Sequence, residues 1–431
     1  MAAIIDAGPV DLAPAVLPPR ARHVAAVVAG NALEFYDFLT YAFFAGQIGR
    51  TFFPSTDPNA SLLASLATFG AGFLMRPVGA LVLGRLGDRL GRKPAMLLTF
   101  VLMGVAMVGL ALTPSYRAIG VLAPALAILC RLVQGFALGG EVGPNTAYLI
   151  EAAPAGRRGL YVAFQFMSQD IAILASGLVG LALASAMNDA ALDAWGWRAA
   201  FLLGAVIIPF GIMLRGQLAE TLHIAAPAAG PAAGRTPGLA RLVVLGLAMM
   251  TGGTVVTYVI NYLTTYASAT LHMPTRVSFL PTVATGLTGV IFAPVGGWLS
   301  DRFGRRPVML TPWAILLALA IPGFWLLDRE RTVLALVGVA VAFRFAGVLA
   351  FPAALVSIAE SLPARMRSGG LGLIYAFAIS VFGGTTQFGV AWLTHATGSP
   401  LAPGWYMTVA VAIGLVAMLL MPETAPVKAR R

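Results

Sequence analysis

The stretch Asp88-Arg89-Leu90-Gly91-Arg92-Lys93 recurs in the second half of the 431-residue chain as Asp301-Arg302-Phe303-Gly304-Arg305-Arg306, 213 residues later. Each copy is a short, charged segment between two long apolar runs. Arg131 and Arg344, each inside an apolar segment, are also 213 residues apart. Further on, the segment 151–159 resembles the segment 360–369. Three matches in the same order indicate that the chain is an internal duplication.

The composition independently indicates a membrane protein. Hydrophobic residues make up 59% of the chain, charged residues 10%, and the mean hydropathy is +0.85; soluble domains average about 45–50% apolar and about 25% charged residues. A membrane span needs roughly 20 apolar residues. Twelve such segments, six in each half, are centred near residues 35, 72, 104, 130, 173, 205, 253, 289, 317, 345, 380 and 412. The predicted fold is an all-α integral membrane protein with twelve transmembrane helices in two pseudo-symmetric six-helix bundles, as in many secondary transporters.

The positive charges predict the orientation in the membrane. The net charge of +11 does not indicate nucleic-acid binding, because the basic residues are scattered over short loops. Of the 28 lysines and arginines, three lie within predicted spans (Arg76, Arg131, Arg344) and six on one side (Arg50, Arg117, Arg198, Arg276, Arg329, Arg331). The other nineteen lie on the opposite side, which the positive-inside rule makes cytoplasmic. We therefore expect both termini in the cytoplasm and the protein in the inner (plasma) membrane.

Loop composition predicts the domain boundaries. Residues 1–19 read as a cytoplasmic tail without a signal peptide, and 20–215 as the N-terminal six-helix bundle. Residues 216–238, rich in alanine, proline and glycine, are typical of a linker. Residues 239–422 form the second bundle and 423–431 a cytoplasmic tail. The single cysteine, Cys130, excludes an intrachain disulfide.

Charged residues inside predicted spans are the candidate functional groups. A charge at the bilayer centre costs at least about 2.5–3.5 kcal/mol on insertion scales and usually marks a substrate or proton path. The set is Glu34, Asp37, Arg76, Arg131, Glu141, Asp170 and Arg344. Two buried arginines can hold an anion through paired hydrogen bonds. Desolvation favours the protonated form of a carboxylate and a neighbouring arginine the ionised form, so we expect Asp37 to carry the proton and Glu34 to support it. The alternative is a structural ion-pair network without a ligand.

Uncharged polar residues add to these charges at helical spacing. Thr254, Tyr258 and Asn261 form one stripe on the seventh span, and a polar stripe in lipid must face protein or water. Asn31 precedes Glu34 by three residues, as Arg131 precedes Gln134. Hydrogen bonding between packed helices is the alternative interpretation of the stripe.

Several motifs resemble those of a known family. The duplicated loop, Gly84-Arg85-Leu86-Gly87-Asp88 onward and its copy, resembles the signature of the major facilitator superfamily. Within that superfamily, six further segments resemble the metabolite:proton symporter family, and most of all its citrate and tricarballylate proton symporters. These segments are Gly30-Asn31-Ala32-Leu33-Glu34-Phe35-Tyr36-Asp37-Phe38, Phe73-Leu74-Met75-Arg76-Pro77-Val78-Gly79, Arg131-Leu132-Val133-Gln134-Gly135, Gly139-Gly140-Glu141, Trp195-Gly196-Trp197-Arg198 and Phe382-Gly383-Gly384. The chain departs from the family at Phe35, where tryptophan is common. The likeness covers nearly the whole chain.

The resemblance implies two bundles that rock about a central cavity lined by the first, fourth, seventh and tenth spans. The residues expected to bind substrate there are Asn31, Arg131, Gln134, Tyr258, Asn261 and Arg344. In the family, the duplicated loop closes the cytoplasmic side through aspartate–arginine contacts. The expected gating residues are therefore Asp88, Arg89, Arg92, Asp301, Arg302 and Arg305.

The function expected from these features is import of a small organic acid, citrate or a related tricarboxylate or dicarboxylate, together with protons. A carrier of aromatic acids or of betaine- or proline-type osmolytes is an alternative. A drug:proton antiporter is a weaker one, because such exporters tend to carry a motif rich in glycine and proline on the fifth span, and here Gly177 and Gly180 have no proline partner. An enzyme is not expected, since the four histidines fall in or beside loops without metal-type spacing. The expected partners are an anionic small molecule, protons and membrane lipid, without cofactor, metal or nucleic acid, and the expected assembly is a monomer.

Overall fold

The computed structural model describes residues 21–90, 92–139, 149, 153–154, 156–216, 238–363 and 367–425, and all the regular secondary structure in them is helical. The first half contains α1 (Ala21–Phe43), α2 (Pro58–Leu74, continuing after Met75 as Arg76–Leu90), α3 (Arg92–Leu112), α4 (Leu122–Gly139), α5 (Arg158–Ala186) and α6 (Trp197–Gly216). The second half contains α7 (Leu239–Ala269), α8 (Leu280–Phe303), α9 (Arg305–Glu330), α10 (Val333–Ser361), α11 (Arg367–Ala378, then a π-turn Ile379–Gly383, then Gly384–Thr397) and α12 (Ala402–Leu420). The two halves thus have the same order of six helices.

Short helical turns connect several of these helices. They are Ala45–Phe52 after α1, Tyr116–Ile119 before α4, Asp189–Ala191 with the π-turn Leu192–Gly196 before α6, and Thr275–Ser278 before α8. We call the end of the bundle that carries Asp301–Arg306 the motif end, and the end that carries residues 53–57 and 270–274 the opposite end. In the first half, α2 ends and α3 begins at the motif end.

Local sequence signals fix several helix boundaries. The Asp57 side chain accepts a hydrogen bond from the main-chain N–H of Asn59 at 2.9 Å, with Pro58 in the first turn, a common start of a helix. Gly304 separates α8 from α9 with a φ of 105°. Residues with a Cβ rarely adopt this conformation, so the glycine repeated in the duplicated motif is what permits the tight turn.

The distribution of side chains is that of a membrane protein. Large apolar side chains such as Leu334, Leu373 and Val105 are exposed on the outer surface, whereas Asp37, Arg131 and other polar side chains are buried. Within the described residues, nine helices are long and apolar enough to span a membrane, and Leu97–Leu112 of α3 is a shorter apolar helix. Together with α1 and α6, they complete the twelve expected spans. The protein is a multi-pass, all-helical membrane protein.

The two halves meet along α5 and α8. Glycines allow these helices to touch: a Cβ at Gly286 would lie 2.5 Å from the main-chain nitrogen of Leu174, and one at Gly159 would lie 2.6 Å from the carbonyl oxygen of Gly297. A second contact between the halves joins α2 and α11, where a Cβ at Gly70 would lie 2.5 Å from the carbonyl oxygen of Gly384. These contacts place the interior faces of the two halves around a central space.

Candidate substrate cavity and its buried charges

A cavity lies between the two halves, lined from the first half by α1 and α5 and from the second by α7, α9, α10 and α11. Six aromatic rings contribute most of its apolar wall: Phe35, Phe166, Tyr258, Trp313, Phe351 and Tyr375. The polar lining comes from Gln169, Thr254, Thr257, Asn261 and Arg344. A mostly apolar cavity with a few polar groups is the usual character of a small-molecule site.

Arg344 is the cation of the cavity wall and connects the two halves. Its Nη2 donates a hydrogen bond to Oδ1 of Asp170, which lies on α5 and is fully buried. Neither Nε of Arg344 nor Oδ2 of Asp170 has a hydrogen-bond partner among the described residues. The pair therefore joins α10 to α5 through one oxygen and leaves the Nε–H of Arg344 for another acceptor.

A second group of buried charges lies inside the first half. The Arg131 guanidinium lies 4.7 Å from the ring centre of Phe38 and 4.5 Å from that of Tyr41, and its Nη1 donates to Oε1 of Gln134. Asp37 is fully buried, and the charged group with which it interacts is Arg131. Neither carboxylate oxygen of Asp37 accepts a hydrogen bond from a described residue. An acid in such surroundings can hold or release a proton according to where its arginine lies.

Arg76 lies near both groups of charges. Its guanidinium is 4.6 Å from the ring centre of Phe38 and 4.3 Å from that of Phe73, and it interacts with the hydroxyl of Tyr258 in the cavity wall. Sequence reasoning counted Arg76 among the intramembrane charges but did not assign it to the binding site. The aromatic residues at positions 38 and 73 were the available signal, since arginine packs well on such rings.

The predicted binding residues fall into two sets. Tyr258, Asn261 and Arg344 line the cavity. Arg131 and Gln134 of α4 are fully buried beside it, and Asn31 of α1 is held by a 2.6 Å hydrogen bond from its Nδ2 to Oγ of Ser168. The side chain of Glu34 is outside the described part of the structure.

In this conformation the fourth span does not contribute to the lining, so its place there stays a prediction. No residue of α4 is part of the lining, to which α5 and α11 contribute instead. The reason is that rings of α1 and α2, namely Phe38, Tyr41 and Phe69, pack around the Arg131 guanidinium. These rings take up the face of α4 that the resemblance assigned to the cavity.

A polar network occupies the motif end. Oδ1 and Oδ2 of Asp301 accept hydrogen bonds from the main-chain N–H groups of Gly159 (2.8 Å) and Leu160 (2.9 Å) at the start of α5. Arg305 pairs with Asp301 at 2.7 Å and with Glu360 at 3.2 Å. Since α5 belongs to the first half, Asp301 holds the two halves together at this end.

Other gating residues differ in their placement. Arg302 is exposed and outside this network, with its guanidinium 5.4 Å from the ring centre of Trp298. The side chains of Asp88, Arg89 and Arg92 are outside the described part of the structure. Two residues near this network, Glu360 and Glu423, are not among the predicted gating residues. The carboxylate of Glu423 accepts hydrogen bonds from the main-chain N–H groups of Arg305 and Arg306. The repeat that aligned Glu360 with Glu151 was a signal for the first; none marked the second.

Comparisons with known proteins agree with this architecture. The profile of the Major Facilitator Superfamily matches residues 28–384 and 242–431. A citrate-proton symporter of Klebsiella pneumoniae is 37% identical over 91% of this chain and 89% of its own length, and the alpha-ketoglutarate permease of Escherichia coli (strain K12) is 34% identical over 93% and 94%. The proline/betaine transporter of the same strain is 33% identical over 94% of this chain and 84% of its own. The crystal structure of a D-xylose-proton symporter has the same fold, with a TM-score of 0.75 at 18% identity over 94% and 98% of the two chains. The chain belongs to the major facilitator superfamily of membrane transporters and is not an enzyme.

Proposed function

We propose that this protein imports a small organic anion, citrate or a related tricarboxylate or dicarboxylate, together with protons by alternating access. The observation that carries the proposal is the cavity between the halves, whose wall contains Arg344 with an unpartnered Nε. The names of the citrate-proton symporter and the alpha-ketoglutarate permease, both similar over more than nine-tenths of this chain, support the same class of substrate.

The balance of buried charge supports an anionic substrate. Around the cavity, the described buried charges are three arginines, Arg76, Arg131 and Arg344, and two aspartates, Asp37 and Asp170. Among the described side chains, which do not include Glu34, this leaves one positive charge in excess, and protonation of either aspartate adds another. A buried charge is stabilised by a partner of opposite sign, so an anion and a proton stabilise each other's binding.

In this proposal Tyr258, Asn261 and Arg344 contact the substrate directly. Arg131, with Gln134 and Asn31 nearby, completes the site when an aromatic ring such as Phe38 or Tyr41 moves aside. Asp37 carries the proton, with Glu34 in support, because movement of Arg131 toward the substrate would raise the affinity of Asp37 for a proton. One chain forms the whole cavity, which supports action as a monomer.

The loops of the motif end act as the gate. Asp301 and Arg305 hold α8 and α9 to the start of α5, and Asp88, Arg89 and Arg92 have the equivalent role in the first half. Arg302, on the surface, contributes to the orientation of the protein in the membrane. The distribution of positive charge supports an inner (plasma) membrane protein with both termini and the motif end in the cytoplasm.

A second class of substrate is favoured by the aromatic wall. Six rings are more than a compact tricarboxylate needs, and they suit a carboxylate with a ring or a quaternary ammonium group. Curated relatives include a proline/betaine transporter and a shikimate transporter of Escherichia coli (strain K12). Shikimate and betaine therefore belong in the same experiment.

Uptake into proteoliposomes tests the proposal. Labelled citrate, tricarballylate, succinate, 2-oxoglutarate, shikimate and betaine are offered with an acidic exterior and an alkaline interior. We expect citrate to accumulate above its external concentration and a protonophore to abolish this accumulation. Protein-free vesicles and the variant Arg344→Gln serve as controls. Accumulation of shikimate or betaine alone would replace the first substrate class by the second, and uptake indifferent to the pH gradient would exclude proton coupling.

A further inference from the structure

Asp170 on α5 is a buried acid outside the proton path proposed above. It is fully buried, and its carboxylate lies against the backbone of α8. A Cβ at Gly289 would lie 2.0 Å from Cγ of Asp170 and 2.2 Å from both of its oxygens. The absence of a side chain at Gly289 therefore creates the space that the carboxylate occupies. At this point α5 of the first half meets α8 and α10 of the second.

The charged surroundings of Asp170 are simple. The helices α1, α6, α8 and α10 pack against α5, as do the turns Leu192–Gly196 and Thr275–Ser278 near the opposite end. On these turns Asp193 pairs with Arg50 and Arg276 is exposed. Among the described charged side chains of these helices, Arg344 is the one that interacts with Asp170. The others have different places: Asp37 interacts with Arg131, Arg198 donates to the carbonyls of Ala111 and Thr113, and Asp301, Arg302 and Glu360 lie at the motif end. The negative charge of Asp170 thus depends on Arg344.

Arg344 also lines the cavity where we place the substrate. A substrate carboxylate that bonds to Arg344 competes with Asp170 for the same cation. If Asp170 loses that cation while it stays buried, an uncompensated charge remains, which is strongly unfavourable. Uptake of a proton removes this charge.

We infer that Asp170 is a second proton-binding residue, which takes up a proton when a substrate carboxylate replaces it on Arg344. The inference rests on the proposed function and extends it. In the exchange, the Arg344–Asp170 ion pair breaks, an ion pair between Arg344 and the substrate forms, and Asp170 takes a proton from cavity water. The charge of the site is zero before the exchange, with one arginine cation and one aspartate anion. It is zero afterwards, with the arginine cation, the substrate anion and a neutral acid.

Calorimetric titration of the purified protein with citrate tests the inference. Heats measured in buffers of different ionisation enthalpy give the number of protons taken up per citrate bound. We expect the variant Asp170→Asn to take up about one proton fewer than the wild type for each citrate bound. Its affinity for citrate should therefore depend less steeply on pH, by about one factor of ten per pH unit. Wild-type affinity falls as pH rises, because binding takes up protons. Asp170→Asn should also bind citrate at least as tightly as the wild type at alkaline pH, since the competing carboxylate is gone.

A matched variant and a second route control the result. Asp193→Asn removes an acid that pairs with Arg50 near the surface at the opposite end, and it should leave the proton number unchanged. If Asp170→Asn does not fold, Gly289→Ala is the second route. It keeps both charges but displaces the Asp170 carboxylate from Arg344 before citrate binds, so the number of protons taken up per citrate should also fall. Gly338→Ala on α10, where a Cβ meets nothing within 4 Å, is its control.

The outcomes separate the two proposals. If folded Asp170→Asn, or Gly289→Ala in its place, takes up as many protons as the wild type, Asp170 is a structural ion-pair partner and the inference is wrong. If the wild type gives no heat with citrate, the proposed substrate is wrong. The same titration with the acid that wild-type vesicles accumulate then decides the inference.

Discussion

Arg131 is a fully buried cation, and its neighbours suit the planar shape of its guanidinium as well as its charge. Its guanidinium lies against the rings of Phe38 and Tyr41 and donates to Gln134 on the same helix. A planar guanidinium can stack on a ring and donate in its own plane at once, whereas a lysine ammonium cannot. Arg344, on the cavity wall, donates to Asp170 and keeps an unpartnered Nε. Lysine variants of both residues therefore separate shape from charge.

We predict that Arg131→Lys and Arg344→Lys each lower the apparent affinity for citrate about tenfold, or ~1.4 kcal/mol, because the paired hydrogen bonds to a carboxylate are lost. The measurement is the KM of uptake, together with the Tm of the purified variants. Arg198→Lys is the control: this buried arginine donates to three main-chain carbonyls near the opposite end, and its loss should lower Tm without changing KM. Unchanged affinity in both test variants would make the two arginines structural.

The acid that Arg131 faces gives a second prediction. Asp37→Asn removes one of the two proposed proton-binding groups, so we expect accumulation driven by a pH gradient to fall strongly while exchange of labelled for unlabelled citrate continues, since exchange needs no net proton release. Both activities are measured in the same vesicles. Asp193→Asn should retain both. Full gradient-driven accumulation by Asp37→Asn would move the assignment to Glu34 or Asp170.

At the scale of helices, the seam between α5 and α8 determines which movements are possible. Glycines along this seam bring the two backbones into contact at several levels, so the helices can rock on each other with little side-chain rearrangement. Asp301 fastens one end of the seam, since its carboxylate accepts hydrogen bonds from two N–H groups at the start of α5. Negative charge at a helix N-terminus is also stabilised by the helix dipole. The motif end therefore opens only when these bonds break.

We predict that Asp301→Asn weakens the closed motif end by about 1–3 kcal/mol, because a neutral amide accepts these hydrogen bonds less well and no longer pairs with Arg305. Transport should slow with little change in KM. A cysteine introduced at Ala163, a buried residue of α5 whose Cβ already lies beside Gly297 of α8, should react faster with a thiol reagent in the Asp301→Asn background. Asp328→Asn is the control, because Asp328 pairs only locally with Arg331 at the far end of α9. An unchanged labelling rate would mean that Asp301 does not hold the motif end closed and contributes only to the orientation of its loop in the membrane.

The sequence is sufficient to predict features that depend on local periodicity, but not those that depend on distant contacts. The duplicated motif predicts the two six-helix halves, and the spacing of Thr254, Tyr258 and Asn261 predicts one face of α7, which the cavity uses. The rotation of α4 depends on the rings of α1 and α2 that pack against it, so Arg131 is buried beside the cavity. Asp170 and Arg344 are 174 residues apart. A single sequence contains no signal that pairs them.

At the scale of the whole molecule, the charge distribution is the evidence for orientation. The spans predicted from the sequence place nineteen of the 28 lysines and arginines on the side of the motif end and six on the opposite side. Basic residues in short loops resist translocation, so the motif end should face the cytoplasm. The outer surface of the helices exposes large apolar side chains and gives no preference of its own. Orientation is thus a property of the loops, and the gate at Asp301 would then act on the cytoplasmic side.

Cysteine labelling tests this orientation. The native Cys130 is half-buried and is replaced first, so that a Cys130→Ser chain carries one introduced cysteine at a time. Ser55→Cys lies on the exposed loop of the opposite end, and Ala232→Cys lies in the predicted linker, outside the described residues. We expect an impermeant thiol reagent to label Ser55→Cys but not Ala232→Cys in right-side-out membrane vesicles. In inside-out vesicles the pattern should reverse, because the reagent then meets the cytoplasmic side. Labelling of Ala232→Cys alone in right-side-out vesicles would invert the orientation, and labelling of both would place the linker and the loop at residue 55 on the same side, which twelve spans with both termini inside do not allow.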